Sequence, residues 1–157
     1  MSNSKNFTWE HVVNHDEEIN IHLLFNISHM SGLILKKRKE LLSRFELEPW
    51  SYDMLVILYQ SDNNGLSPKE LLKLTGVTSG TMTHRINLLL KEELIISKPS
   101  SQDGRSILVV ISEKGKEIIE KAIKAHAAAS AEILNHLSQE EQTALQKISQ
   151  KIIQTLQ

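Results

Sequence analysis

The chain contains no cysteine, which excludes disulfides, thiolate zinc sites and cysteine-based redox sensing. It has no apolar run long enough to span a bilayer. The stretch Met1–Phe7 is polar and lacks the hydrophobic segment of a secretion signal, so the expected location is the cytoplasm and no membrane partner is expected. Enzyme signatures are missing as well: there is no P-loop, no GxSxG and no HExxH. His84 lies near Ser79, but that spacing carries no catalytic content without a fold to form a pocket around it. A non-enzyme without cofactor is therefore expected. Seven histidines are present, with His11 and His15 four apart and His22 and His29 seven apart. Either pair can share a helix face, but no cysteine or placeable carboxylate completes a ligand set. They read as titratable surface or core histidines, and no metal site is expected.

Net charge is scarce too, at −1 over 157 residues. The average conceals a segregation. Residues 1–66 carry six Lys and Arg against nine Asp and Glu, residues 67–116 carry eight against five, and residues 117–157 carry four against five. The middle third is thus locally basic, and attraction to phosphate depends on local charge rather than the chain average. Apolar residues make up 40%, enough to build a core.

What is present is mostly helical periodicity. Residues 16–45 read as a long helix in which Ile19, Leu23, Ile27, Met30 and Ile34 recur three and four apart. Ile21, Leu24, Phe25, Leu33 and Leu35 add apolar surface on other sides. A helix apolar on several sides is buried from several sides, and in so short a chain the natural cover is a second subunit. The cluster Lys36–Lys39 reads as a solvated helix end. Glu48-Pro49 interrupts the helical pattern, and residues 52–59 give a short helix with Leu55, Ile57 and Leu58 inward.

Ser67-Pro68-Lys69-Glu70 has the form of a capping box with proline in the first helical position. Leu71, Leu72 and Leu74 supply that helix's apolar side and Gly76 ends it. A second helix starts at Thr78-Ser79-Gly80 and runs to about Glu92, with Met82, Ile86 and Leu89 on one stripe and Gly80, Thr83, His84, Asn87 and Lys91 on the other. Two short helices joined by a tight turn form a helix-turn-helix. Residues 94–97 and 107–111 read as strands around a turn-rich loop, Pro99–Gly104, which makes a β-hairpin or wing. A helix from about Ser112 to Leu137 follows, with a small-residue run at 125–131. A second capping box at Ser138–Glu141 then opens a helix whose seam is Leu145, Ile148, Ile152 and Leu156. The predicted fold is mainly α with a small β wing, in the order α-α-HTH-β-β-α-α. Residues 1–47 are an N-terminal segment and dimerisation helix, 48–112 a winged helix-turn-helix, and 113–157 C-terminal dimerisation helices.

Leu66–Leu72, Val77–Ile86 and Asp103-Gly104-Arg105 followed by Ile107–Gly115 resemble, in order and spacing, the first motif helix, recognition helix and wing of the MarR (multiple antibiotic resistance regulator) family. The resemblance implies a homodimer joined through its terminal helices. It also implies a palindromic double-stranded DNA operator, a repressor's role, and release by a small aromatic or anionic ligand. Thr78–Thr83 is similar to the urate- and phenolic-responsive subgroup, which also carries a tryptophan in an extra N-terminal helix, where this chain has Trp9. The chain departs from the family at Asn87-Leu88 (relatives have Asp-Arg), at Glu93 (Gly) and at Ser97 (Arg). Glu93 would occupy a helix C-terminal position that favours glycine, costing about 1 kcal/mol if left-handed.

Candidate DNA contacts follow from both lines. Gly80, Thr83, His84 and Asn87 share the outward face: Gly80 admits close backbone approach, Thr83 can bond phosphate or touch a thymine methyl, and Asn87 can pair with adenine. Thr81 belongs to the same motif. Lys69 and Ser79 sit near helix starts, where amides favour phosphate. Arg85 flanks the face and either binds phosphate or holds the hairpin by an ion pair. Lys98 lies at the base of the wing. The resemblance makes Arg105 the arginine that enters the minor groove, with Asp103 orienting it or the loop. Trp9, His29 and Asp53 are candidate effector contacts, against the plainer readings that Trp9 packs and Asp53 caps a helix near Ser51. The alternative function is a winged-helix protein-interaction module with weakened DNA binding, suggested by Leu88 and Ser97.

Overall fold

The computed structural model describes residues 12–61, 65–99 and 107–157. The elements are α1 (His15–Ser43), α2 (Pro49–Gln60), α3 (Pro68–Thr75), α4 (Ser79–Lys91), β1 (Ile95–Pro99), β2 (Ile107–Ile111), α5 (Glu113–Leu134) and α6 (Gln139–Leu156). The order is the predicted one. The chain divides into two units, one through Glu40 and one from Leu41 to Gln157.

Most helix starts lie where the sequence supplies a cap. Ser67 and Ser138 accept from the backbone N–H of Glu70 and Glu141, whose carboxylates in turn accept from the Ser67 and Ser138 amides, completing both capping boxes. Thr78 and Ser112 cap α4 and α5 in the same way, accepting from the amides of Thr81 and Gly115. Each cap satisfies a backbone donor that has no partner within the helix. Gly76 ends α3 in the left-handed conformation, φ 66°, which a residue without Cβ adopts at no steric cost. Pro49 does more than interrupt the chain: it is the first residue of α2, which therefore begins three residues earlier than expected, with Glu48 at the N-cap.

The core of the 41–157 unit is built from every element between α1's last turn and α5. Leu42, Met54, Leu55, Leu58, Leu71, Leu89, Val109, Ile119 and Ala122 are fully buried, and burying a side chain of leucine size contributes about 1.5–3 kcal/mol. In α4 the buried residues are Met82, Ile86 and Leu89, spaced four and three; in α5 they are Gly115, Ile119 and Ala122, spaced identically. That spacing leaves each helix one inward stripe. Leu74, expected inward on α3, is 60% exposed; Leu71 alone in that helix is fully buried. One turn on from Leu71, position 74 has moved off a stripe that in an eight-residue helix is only one residue wide. Ile57 is half-buried rather than inward like Leu55 and Leu58.

The hairpin pairs β1 antiparallel with β2, from Ile95 opposite Ile111 to Pro99 opposite Ile107. Pro99 belongs to the strand end, not the loop, which is tolerated because β1 is an edge strand. Leu66 adds a bridge to Val109, with N–H···O distances of 2.9 and 2.8 Å in the two directions, so the segment before α3 is stitched to the hairpin. A two-stranded ribbon is marginal alone; here β2 is held by α2 and α3 and buries Val109, Val110 and Ile111.

Two ends carry glutamate in left-handed geometry: Glu46 (φ 58°) after α1 and Glu93 (φ 59°) after α4. At the second, Leu94 N–H donates to Leu89 O and Glu93 N–H to Leu90 O, the paired bonds of a Schellman motif. The expected glycine-like geometry at Glu93 is thus present with a side chain in place.

The apolar residues of α1 behave differently. Ile19, Leu23, Ile27, Met30 and Ile34 are 37–55% exposed, and Leu24 and Phe25 more so. In α6, Leu145 and Ile152 are half-buried while Ile148 and Leu156 are 56% and 81% exposed.

Candidate nucleic-acid interface

α3 and α4 are joined by the turn at Gly76 and pack on each other, and α4 runs directly into β1. With Met82, Ile86 and Leu89 buried, the opposite side of α4 is turned to solvent: Ser79, Gly80, Thr81, Thr83, His84, Asn87 and Lys91 are all exposed. The predicted reading face is therefore assembled as one surface. Gly80 has nothing within 4 Å of where a Cβ would stand. Thr83 Oγ1 donates back to Ser79 O at 3.1 Å, which leaves the hydroxyl oxygen free to accept. Thr81 is tied to the cap: its hydroxyl lies 2.9 Å from that of Thr78, and its amide donates to Thr78 Oγ1. Lys69 is exposed on the first turn of α3, and Lys98 is exposed on β1 opposite Leu108.

Arg85, expected to bind phosphate or to hold the hairpin, lies against an aromatic ring. Its Cζ sits 5.2 Å from the centroid of the Trp50 ring, within the range of a cation–π contact. Nothing in the spacing of positions 50 and 85 links Trp50 to this site in the sequence. Asp103 and Arg105 lie outside the described residues, as does Trp9. Asp53 is exposed in the second turn of α2 and does not occupy a cap position. His29 is exposed on α1 and stacks on Phe25, with ring centroids 6.4 Å apart and planes 3° from parallel. Among the described residues no three His, Cys, Asp or Glu side chains converge as a metal site would require.

The lobe behind the interface is braced by bonds that the sequence did not announce. The C-terminal end of α4 is tied to the start of α5: Ser112 Oγ donates to Glu93 O at 2.6 Å, Lys114 Nζ donates to Glu92 O at 2.8 Å, and the same ammonium lies 3.7 Å from the Glu93 carboxylate. Gly115 lets α5 approach, because a Cβ there would strike the Leu94 carbonyl oxygen. α2 is joined to α5 by Tyr52, whose hydroxyl lies 3.0 Å from His126 Nδ1, and by Tyr59, whose hydroxyl donates to Glu120 Oε1 at 2.9 Å. That bond to a carboxylate raises the Tyr59 pKa above its usual 10.0. At the start of α3, hydrogen bonds from Ser67 hold the Glu70 carboxyl below the ordinary value. Glu140 is lowered too, by its own backbone amide and then by Ser138.

A helix-turn-helix followed at once by an antiparallel hairpin, with the second helix polar outward, defines a winged helix-turn-helix protein. Residues 45–106, which run from before α2 through β1 and stop short of β2, match the model of the MarR family. Over that stretch the chain is similar to the MarR family. It is 24% identical over 102 residues to the HTH-type transcriptional repressor YetL of Bacillus subtilis, covering 65% of this chain and 61% of that protein. It is 24% identical over 123 residues to the HTH-type transcriptional regulator PecS of Dickeya dadantii, covering 78% and 74%. Among solved structures, the fold is similar to that of S. aureus MepR in complex with DNA, at a TM-score of 0.73 and 20% identity, covering 85% of this chain and 96% of that one. It is also similar to an organohalide-sensing transcriptional regulator in its 2,4-dichlorophenol-bound form, at a TM-score of 0.74 and 15% identity, covering 97% and 87%.

Proposed function

We propose that this protein is a dimeric transcription regulator that binds double-stranded DNA, represses from a palindromic operator and leaves it when a small aromatic or anionic ligand binds. The carrying observation is the outward face of α4, where Thr83, His84 and Asn87 stand together and exposed beside a hairpin. An α-helix fits the major groove and reads base edges by such donors and acceptors. The wing would add Arg105, on the loop between β1 and β2, to the minor groove. The repressor YetL and the DNA complex of MepR support the DNA reading, and the dichlorophenol-bound regulator supports the ligand reading. The exposed apolar residues of α1 support the dimer, since a soluble chain rarely leaves so many on one helix uncovered.

The reading is tested by fluorescence anisotropy on a duplex selected by the protein from a randomised pool, with a scrambled duplex as competitor and several salt concentrations. Tight binding that falls steeply with salt and resists competitor is expected. Asn87→Ala should cost about 1–3 kcal/mol on the selected duplex and much less on scrambled DNA, while Arg105→Ala should weaken both and lower the salt slope by about one unit. No binding at low salt would sink the DNA reading and leave the protein-interaction module. Quenching of tryptophan fluorescence by small aromatic acids, together with release of the duplex, tests the effector.

A further inference from the structure

We propose that Trp50 is a positioning residue for the recognition helix, acting through Arg85, and that Arg85 is consequently not a phosphate ligand. This rests on the DNA reading above.

One residue along a helix turns the side chain by about 100°, so Arg85 points well away from its neighbour His84 and from the face that includes Thr83 and Asn87. Both Arg85 and Trp50 are half-buried, and Trp50 packs against the core. Trp50 stands at the second position of α2, where Pro49 sets the backbone and Ser51 Oγ donates to Glu48 O at 2.8 Å. α2 is in turn bonded to α5 through Tyr52–His126 and Tyr59–Glu120. α4 packs mainly on α3 and β1 through an apolar stripe, and its C-terminal end is tied to α5 by Ser112 and Lys114. The stripe is non-directional. The guanidinium over the indole adds a lateral hold, halfway along α4, from the same α2–α5 frame. It resists rotation of the helix about its own axis, the motion that would turn Asn87 off the base edges. A guanidinium so engaged is not free to follow a phosphate.

The test uses the full chain, the selected duplex and a scrambled duplex, with binding measured across salt concentrations. Arg85→Ala and Trp50→Leu should each weaken binding to the selected duplex about fivefold, the equivalent of one cation–π contact, with scrambled-duplex affinity and the salt slope unchanged. Trp50→Phe, which keeps an aromatic face, should restore most of the loss and keeps the test open if Trp50→Leu does not fold. A fall of about one unit in salt slope for Arg85→Ala, with both duplexes weakened alike, would overturn the proposal and make Arg85 a phosphate contact. Unchanged affinity in every variant would overturn it as well. If the wild-type chain selects no duplex, the DNA reading falls and the positioning role falls with it. A wild type that binds while the variants fail the predicted pattern overturns the positioning role alone.

Discussion

α1 and the winged lobe solve burial in opposite ways. In the lobe, Leu55, Leu71, Leu89 and Val109 come from four different elements and all reach 0% exposure. In α1, Leu23, Leu24 and Phe25 are as apolar as those residues and stand 55–67% exposed. The difference lies in neighbours, not composition. The lobe's elements pack on one another, α2 on α5 and β2, and α3 on α4, whereas these side chains of α1 stand largely in solvent.

The contrast is sharpest in side-chain truncation. Leu55→Ala should lower stability by about 2–5 kcal/mol, through lost transfer free energy and the cavity left behind, measured by urea denaturation. Leu24→Glu combined with Phe25→Glu should leave the lobe's unfolding within about 0.5 kcal/mol of wild type while shifting sedimentation toward a single chain. A large loss of lobe stability in the double variant would mean that α1 is part of the same core.

Two helical glycines extend the comparison. Alanine at Gly115 would meet the Leu94 carbonyl and Ile111 Cγ1, and should cost about 1–3 kcal/mol. Gly32, on α1, has nothing within 4 Å, so alanine there should raise helix stability by about 0.5–1 kcal/mol. Melting curves at low protein concentration separate the two, and a loss at Gly32 would show that its face is packed after all.

Within the lobe, the Schellman turn after α4 offers a smaller effect. Glu93→Gly removes the left-handed strain but also the exposed pair with Lys114. The strain costs about 1 kcal/mol and the pair is worth less, so a net gain below about 1 kcal/mol is expected in thermal denaturation. A net loss would show that the ion pair outweighs the backbone.

The smallest effect concerns acid. Glu70 is held below its ordinary pKa of 4.5 by Ser67, so its contribution is full above that value. It is lost as the pH falls through the depressed folded value. Glu70→Gln should therefore lower the melting temperature slightly near neutrality, where the carboxylate's contribution is full, and flatten the acid flank so that the two profiles converge below pH 4.5. A flank as steep as that of wild type would remove Glu70 from the account.

Much of the architecture could be read in the chain, and particular residues show why. The Ser67 and Ser138 boxes, the Gly76 terminator and the 82/86/89 stripe are local signals, written within a turn or two of the structure they produce. Glu93 could be placed in left-handed geometry because a helix end dictates backbone angles whatever side chain is there. The same locality explains the misses. Leu74 reads as inward because it is apolar, but its direction depends on where α3 stops. Pro99 reads as loop because it is proline, but the partner strand reaches it. The outward face of α4 is legible as the complement of its inner stripe, whereas the contact of Arg85 with Trp50 is not.

Sequence alone determined the order of elements, the caps, the helix stripes and the polar composition of the α4 face, since each depends on residues within a few positions of one another. Only the tertiary structure decided that Trp50 would meet Arg85, that Tyr52 would reach His126, that Leu66 would pair with Val109 and that Lys114 would close over the end of α4. These contacts join residues 22 to 74 positions apart. The chain's own periodicity carries no record of which elements will pack side by side.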